Sequence, residues 1–106
     1  MSEWIDVGAE DSLKPGAFEV VESGDTFIAV FNIDGTYYAI EDVCTHDGAE
    51  LAGGPIEGDE VICPRHGARF CLRTGAALTP PAYDDVTVFA VRVENGRIQV
   101  RDHRDQ

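Results

Sequence analysis

Apolar residues along this chain fall in short blocks separated by turn-forming dipeptides, and no window carries a stripe at helical spacing. Arg97-Ile98-Gln99-Val100-Arg101 alternates strictly, which places Ile98 and Val100 on one face of a half-exposed strand. Val86 to Val93 precedes it across Asn95-Gly96, and Thr26 to Ile33 precedes Thr36 to Ile40 across Asp34-Gly35. Asn-Gly and Asp-Gly tolerate the positive φ angles of two-residue hairpin turns, so both pairs predict antiparallel hairpins. Thr26 to Ile33 is apolar almost throughout, as expected of a central strand covered on both faces. Shorter strands are predicted at Trp4 to Val7, Ala17 to Val21, Glu60 to Ile62 and Ala68 to Phe70. The expectation is an all-β fold, an antiparallel β-sandwich or small barrel.

The segment from about Val43 to Ala76 breaks this rhythm and predicts a subdomain inserted between flanking strands. It holds Cys44-Thr-His46 and, sixteen residues later, Cys63-Pro-Arg-His66, so four metal-ligating side chains fall within 23 of the 106 residues. Glycines and prolines surround both clusters, which places them on loops that can converge. Gly58-Asp59, between Pro55-Ile56 and Glu60-Val61-Ile62, reads as a hairpin tip that would bring the two clusters side by side. Two centres suit such a ligand set. A tetrahedral zinc site takes Cys2His2, although each loop here mixes one cysteine with one histidine. A binuclear iron–sulfur cluster accepts the same set with thiolates on one iron and imidazoles on the other.

At 106 residues there is room for one domain, and 43% hydrophobic with 26% charged residues is ordinary for a folded protein. The longest apolar run, Phe27 to Phe31, is too short to span a membrane, and the first residues show no signal-peptide pattern. A cytoplasmic setting is therefore expected, where three cysteines serve better as ligands than as bridges. Twenty acids against eight Lys and Arg give a net charge of −12, which disfavours nucleic acid and anionic lipid and favours basic partners. Asp47 and Glu50 flank the first ligand cluster and would contribute to such steering. Repeats and low-complexity segments are not expected.

Cys44-Thr-His46 and Cys63-Pro-Arg-His66-Gly67 resemble the C-x-H and C-P-x-H-G boxes of Rieske [2Fe-2S] proteins. The resemblance extends through Gly67-Ala-Arg-Phe70, Leu72-Arg-Thr-Gly75 and Pro80-Pro81, and so covers nearly the whole chain. It implies a Rieske-like β-sandwich in which Cys44 and Cys63 bind the inner iron and His46 and His66 the outer one. Pro80-Pro81 would then stiffen a loop over the cluster. Replacing two thiolates by neutral imidazoles makes such a cluster less negative and easier to reduce than an all-cysteine one.

Respiratory members of the family carry a disulfide at the positions of Ala49 and Arg65, and hydroxyl donors to the cluster at those of Ala68 and Phe70. Their absence here makes the chain most similar to the soluble ferredoxins of bacterial ring-hydroxylating dioxygenase systems. That resemblance implies a one-electron carrier, not itself an enzyme and expected as a monomer. Its partners would be a flavin-dependent, NAD(P)H-oxidising reductase and a terminal oxygenase. A small subunit of another redox enzyme, such as a nitrite reductase, and a zinc-stabilised interaction module are the alternatives.

Other chemically capable residues read as structural. Cys71 is expected to be a semi-buried thiol beside the centre, and His103 to be solvated in the polar tail from Arg101 to Gln106. Arg65 and Arg69 are expected to pair with nearby acids, while Trp4, Tyr37 and Tyr38 serve packing. Without hydroxyl donors to its sulfurs, a cluster in this acidic chain should sit near the low end of the Rieske range, roughly −150 mV. Protein-film voltammetry checks this; a potential clearly above zero would contradict it.

Overall fold

The computed structural model describes residues 4–104. Nine strands follow in order: β1 (Trp4–Ala9), β2 (Phe18–Ser23), β3 (Thr26–Ile33), β4 (Thr36–Glu41), β5 (Ile56–Glu57), β6 (Glu60–Ile62), β7 (Arg69–Cys71), β8 (Val88–Glu94) and β9 (Arg97–Arg101). One 3-10 turn, Glu10–Ser12, follows β1. Six strands form an antiparallel sheet in the order β1-β9-β8-β4-β3-β2, and β5-β6-β7 form a second, smaller one. The all-β expectation holds, with strands close to those read from the sequence.

Both dipeptide turns are as predicted. Asp34 and Gly35 have φ of 53° and 92°, and Asn95 and Gly96 have φ of 53° and 76°. These angles close the pairs Ile33–Thr36 and Glu94–Arg97 with two-residue turns. The near-continuous apolarity of β3 has a direct cause. Ile28 and Val30 point into one core with Leu13, Ala39, Phe89, Ile98 and Val100, where the large sheet folds over itself. Ala29 and Phe31 point to the opposite face, into a second core shared with the small sheet. Tyr37 and Tyr38, adjacent in β4, pack one against each core, and the Arg92 guanidinium lies 4.2 Å from the centre of the Trp4 ring.

The boundaries differ where loops claim residues from strands. The strand predicted from Val86 begins only at Val88, because the Val86 N–H donates to Gly75 O (2.8 Å) and its side chain is buried in the second core. Likewise β7 begins at Arg69, since the Ala68 carbonyl accepts from Cys63 N (2.7 Å) and so closes a ligand loop. β1 runs on to Ala9 through a bulge between Asp6 and Gly8.

The residues after β9 fold back onto the sheet. Arg104 pairs with Asp102 (3.0 Å) and Glu41 (3.1 Å) and donates to Thr26 Oγ1 (2.8 Å), while Ser23 Oγ donates to Asp102 Oδ2 (2.6 Å). The network ties the residues after β9 to the β2–β3 turn and to β4. His103 is exposed as expected, with its ring 5.6 Å from that of Phe89. The Arg104 hydrogen bond, against the opposing effect of partial burial and with help from Ser23, holds the Asp102 carboxyl well below the usual carboxylate range. A depressed folded-state pKa contributes stability at neutral pH that disappears as pH falls below the ordinary aspartate value of about 3.9. Asp102→Asn should therefore cost about 1–2 kcal/mol at pH 7. In urea titrations the gap from wild type should narrow as the pH drops below about 4; a pH-independent gap would rule out this linkage.

Candidate metal centre

Both ligand loops are built from one backbone device. In the first, Cys44 N donates to Ala49 O (2.7 Å) and Gly48 N donates to Cys44 O (2.7 Å). In the second, Cys63 N donates to Ala68 O (2.7 Å) and Gly67 N donates to Cys63 O (3.0 Å). Gly48 and Gly67 sit at φ of 81° and 79°, where a side chain would be strained. The sequence signal is Cys-x-x-x-Gly-Ala, and it occurs a third time. Cys71 N donates to Ala76 O (3.0 Å) and Gly75 N to Cys71 O (2.7 Å), with Gly75 at φ 82°. The expectation of no repeats is thus corrected at the scale of six residues.

These turns aim the thiols inward. Cys44 and Cys63 are each 1% exposed and belong to the second core, together with Leu51, Val61, Phe70 and Leu72. Burial pushes the Cys44 thiol up; N–H groups of His46 and Asp47 oppose this, and the neighbouring Cys63 adds to it. The imidazoles point the other way. His46 and His66 have side chains 35% and 51% exposed, and their rings meet nearly edge to face, with centroids 5.2 Å apart. The loops converge because β5 and β6 form the expected hairpin around Gly58-Asp59, with Ile56 opposite Val61.

Neighbouring residues hold the loops in place. Asp42 Oδ1 accepts from the N–H groups of Leu51 (2.7 Å) and Ala52 (2.8 Å), bracing the far end of the first loop. Thr45 Oγ1 donates to Asp84 O (2.6 Å), tying that loop to the segment after Pro80-Pro81, while Ala82 of the same segment is buried in the core that holds the two thiols. Asp47, read from the sequence as a flanking acid, turns toward the site. Its Oδ2 lies 3.3 Å from Arg65 Nε, 3.4 Å from His66 Nδ1 and 3.9 Å from His46 Nδ1. An N–H bond from Ala49, against slight desolvation and with nearby positive charge, lowers its carboxyl pKa. Arg69 pairs with Glu57 (2.8 Å) and Glu60 (3.2 Å), so both arginines have the acidic partners expected of them.

Cys71 is 6% exposed. Burial opposes its ionisation, but donors from Thr74 Oγ1, Thr74 N and Arg73 N outweigh that and hold the thiol below its ordinary value. The third turn has Arg73 and Thr74 where the others carry their histidines. It offers one sulfur without an imidazole.

The donor arrangement separates the two kinds of centre. Potential ligand atoms within 4.8 Å of one another form two sets among the described residues, Cys44 and Cys63 with Asp47, and His46 and His66 with Asp47. A single tetrahedral zinc at about 2.0–2.3 Å from each ligand would need all four donors within about 4 Å of one another. A buried sulfur pair and a separate, exposed nitrogen pair suit a two-metal group with one iron at each end.

Comparison with known families matches residues 3–90 to the Rieske [2Fe-2S] domain. The ferredoxin component of the naphthalene 1,2-dioxygenase/salicylate 5-hydroxylase systems of a Ralstonia species is 35% identical over 98 residues, covering 92% of this chain and 94% of its own. The 3-phenylpropionate/cinnamic acid dioxygenase ferredoxin subunit of Escherichia coli K12 is 49% identical over 72 residues, 67% of this chain and 68% of that one. Among solved structures, a chain in the complex of reduced oxygenase and oxidized ferredoxin of carbazole 1,9a-dioxygenase superposes with a TM-score of 0.90. It shares 34% identity and covers 97% of this chain and 96% of its own. The chain belongs to the Rieske [2Fe-2S] domain family, whose group is one Rieske cluster.

Gly54 shows how tightly the site is built. A Cβ there would lie 2.1 Å from Ile62 O and 3.2 Å from Leu51 O, the first beside Cys63 and the second in the first ligand loop. Gly54→Ala should cost roughly 2–3 kcal/mol and displace the sulfurs relative to each other. Chemical denaturation together with iron content after reconstitution checks this; wild-type values for both would contradict it.

Proposed function

We propose that Cys44 and Cys63 hold one iron of a [2Fe-2S] cluster and His46 and His66 the other. The observation that carries this is the division of the donors, two thiols in the core and two imidazoles at the surface. When bound, the group accepts and gives up one electron at a time. The protein's own part is to keep water from the sulfur end with Leu51, Phe70 and Leu72 and to present the imidazole edges to a partner. Cys71 completes a matching turn and supplies no ligand.

The chain acts as an electron carrier in a ring-hydroxylating dioxygenase system. It receives electrons from a flavin-dependent reductase and delivers them to a terminal oxygenase. Support comes from the ferredoxin components that match over most of its length and from the exposed imidazole pair. A net charge of −12 suits reversible docking to basic faces and disfavours nucleic acid. No helix among the described residues is long and apolar enough to cross a membrane. A monomer acting in the cytoplasm, with the segment from about 43 to 76 as the cluster-binding part of one domain, fits this role.

Protein purified anaerobically should contain iron and sulfide in equal amounts and show a reduced-state EPR signal with average g below 2. His66→Ala should lose most of the cluster and also some fold stability, since ligand binding is coupled to folding. A variant keeping the wild-type spectrum would remove His66 from the ligand set. Electron transfer to the oxygenase should slow as salt rises if acidic groups guide docking.

A further inference from the structure

At their buried ends the two ligand loops share one apolar core, but their outer ends are joined by few polar contacts. Each is closed by its own backbone bonds, and among the described residues no backbone hydrogen bond joins 44–49 to 63–68. Across the gap the thiols face each other, the imidazoles face each other, and Asp47 reaches His66 and Arg65. The Asp47–Arg65 pair, at 3.3 Å, is the charged link between the loops that uses no candidate ligand.

Asp47 is well placed to serve as a fixed half of such a link. Its Oδ1 accepts from Ala49 N (3.1 Å), which pins the side chain within its own loop and leaves Oδ2 facing the other one. The carboxylate side chain is 19% exposed, whereas Arg65 is 63% exposed and reaches over from the second loop. A preorganised carboxylate loses less side-chain entropy on pairing than a free one, so this pair should exceed the weakest surface pairs.

We propose that the Asp47–Arg65 ion pair is a clasp between the two ligand loops that slows their separation and so slows loss of the bound cluster. The proposal rests on the ligand assignment above, because a group held by one cysteine and one histidine from each loop can leave only when the loops part. Asp47 and Arg65 act as positioning residues and bind no metal in this role. The pair stays exposed enough for salt to screen it.

The test measures cluster loss by the decay of visible absorbance under a chelator, in about 0.1 M and 1 M salt. Arg65→Gln and Asp47→Asn should each lose the cluster about two- to five-fold faster at low salt, and the double variant no faster than either single one. At high salt the wild type should approach the variants, and Arg65→Lys should retain part of the effect. Arg65 is largely exposed, so its replacements will fold. In about 1 M salt, where the pair is screened, the melting temperatures of the cluster-loaded variants should match wild type, a readout that a general structural role would move. Equal loss rates at low salt, additive effects, or a salt-independent difference would overturn the clasp. Wild-type protein with no iron or sulfide would instead remove the ligand assignment, and the clasp with it.

Discussion

Burial of two cysteine side chains in the same apolar core that joins the two sheets is the constraint on which this structure depends. Cys44 and Cys63 pack with Phe31 and Ile40 of the large sheet and with Val61 and Phe70 of the small one. A neutral thiol is comfortable there as a small apolar group. A lone thiolate is not, and burial raises the Cys44 pKa accordingly. A metal held by the two thiolates would resolve the conflict by placing positive charge where they would otherwise be uncompensated. On that assignment the core and the centre would act as a single energetic unit, each supporting the other.

The histidines face outward for a reason rooted in backbone geometry. Each Cys-x-x-x-Gly-Ala turn buries its cysteine and exposes the side chains two and three residues further on. Two such turns meeting across the β5–β6 hairpin bring His46 of one against His66 of the other. A group held by both pairs would have one end insulated by aliphatic and aromatic side chains and the other at the surface. An electron carrier needs that asymmetry: shielding preserves the cluster, and an exposed edge shortens the path to a partner.

Repetition of the turn around Cys71 sets the same backbone device around a sulfur with no histidine beside it. There the sulfur is satisfied by Thr74 and by two backbone N–H groups, which depress its pKa where burial raises that of Cys44. Gly75 closes the turn and also touches the base of β8, where a Cβ would meet Val86 O at 2.1 Å. The third turn thus couples the small sheet to the large one. Its chemistry is set by the neighbours of the sulfur, with the backbone held in common.

Local patterning determined much of this molecule. Alternation in Arg97–Arg101, continuous apolarity in Thr26–Ile33 and the Asp-Gly and Asn-Gly turns specify strands and hairpins through φ preferences and facing, which depend only on nearby residues. The two Cys-His boxes likewise marked the proposed ligand set through their residue types and spacing. Tertiary structure alone decided the rest. It drew Val86 out of its predicted strand to meet the Gly75 carbonyl of the third turn. It paired Asp47 of one loop with Arg65 of the other, and folded Asp102 and Arg104 back onto the β2–β3 turn. Charged side chains find partners by proximity in space, and no period or propensity along the chain encodes which distant segment will supply them.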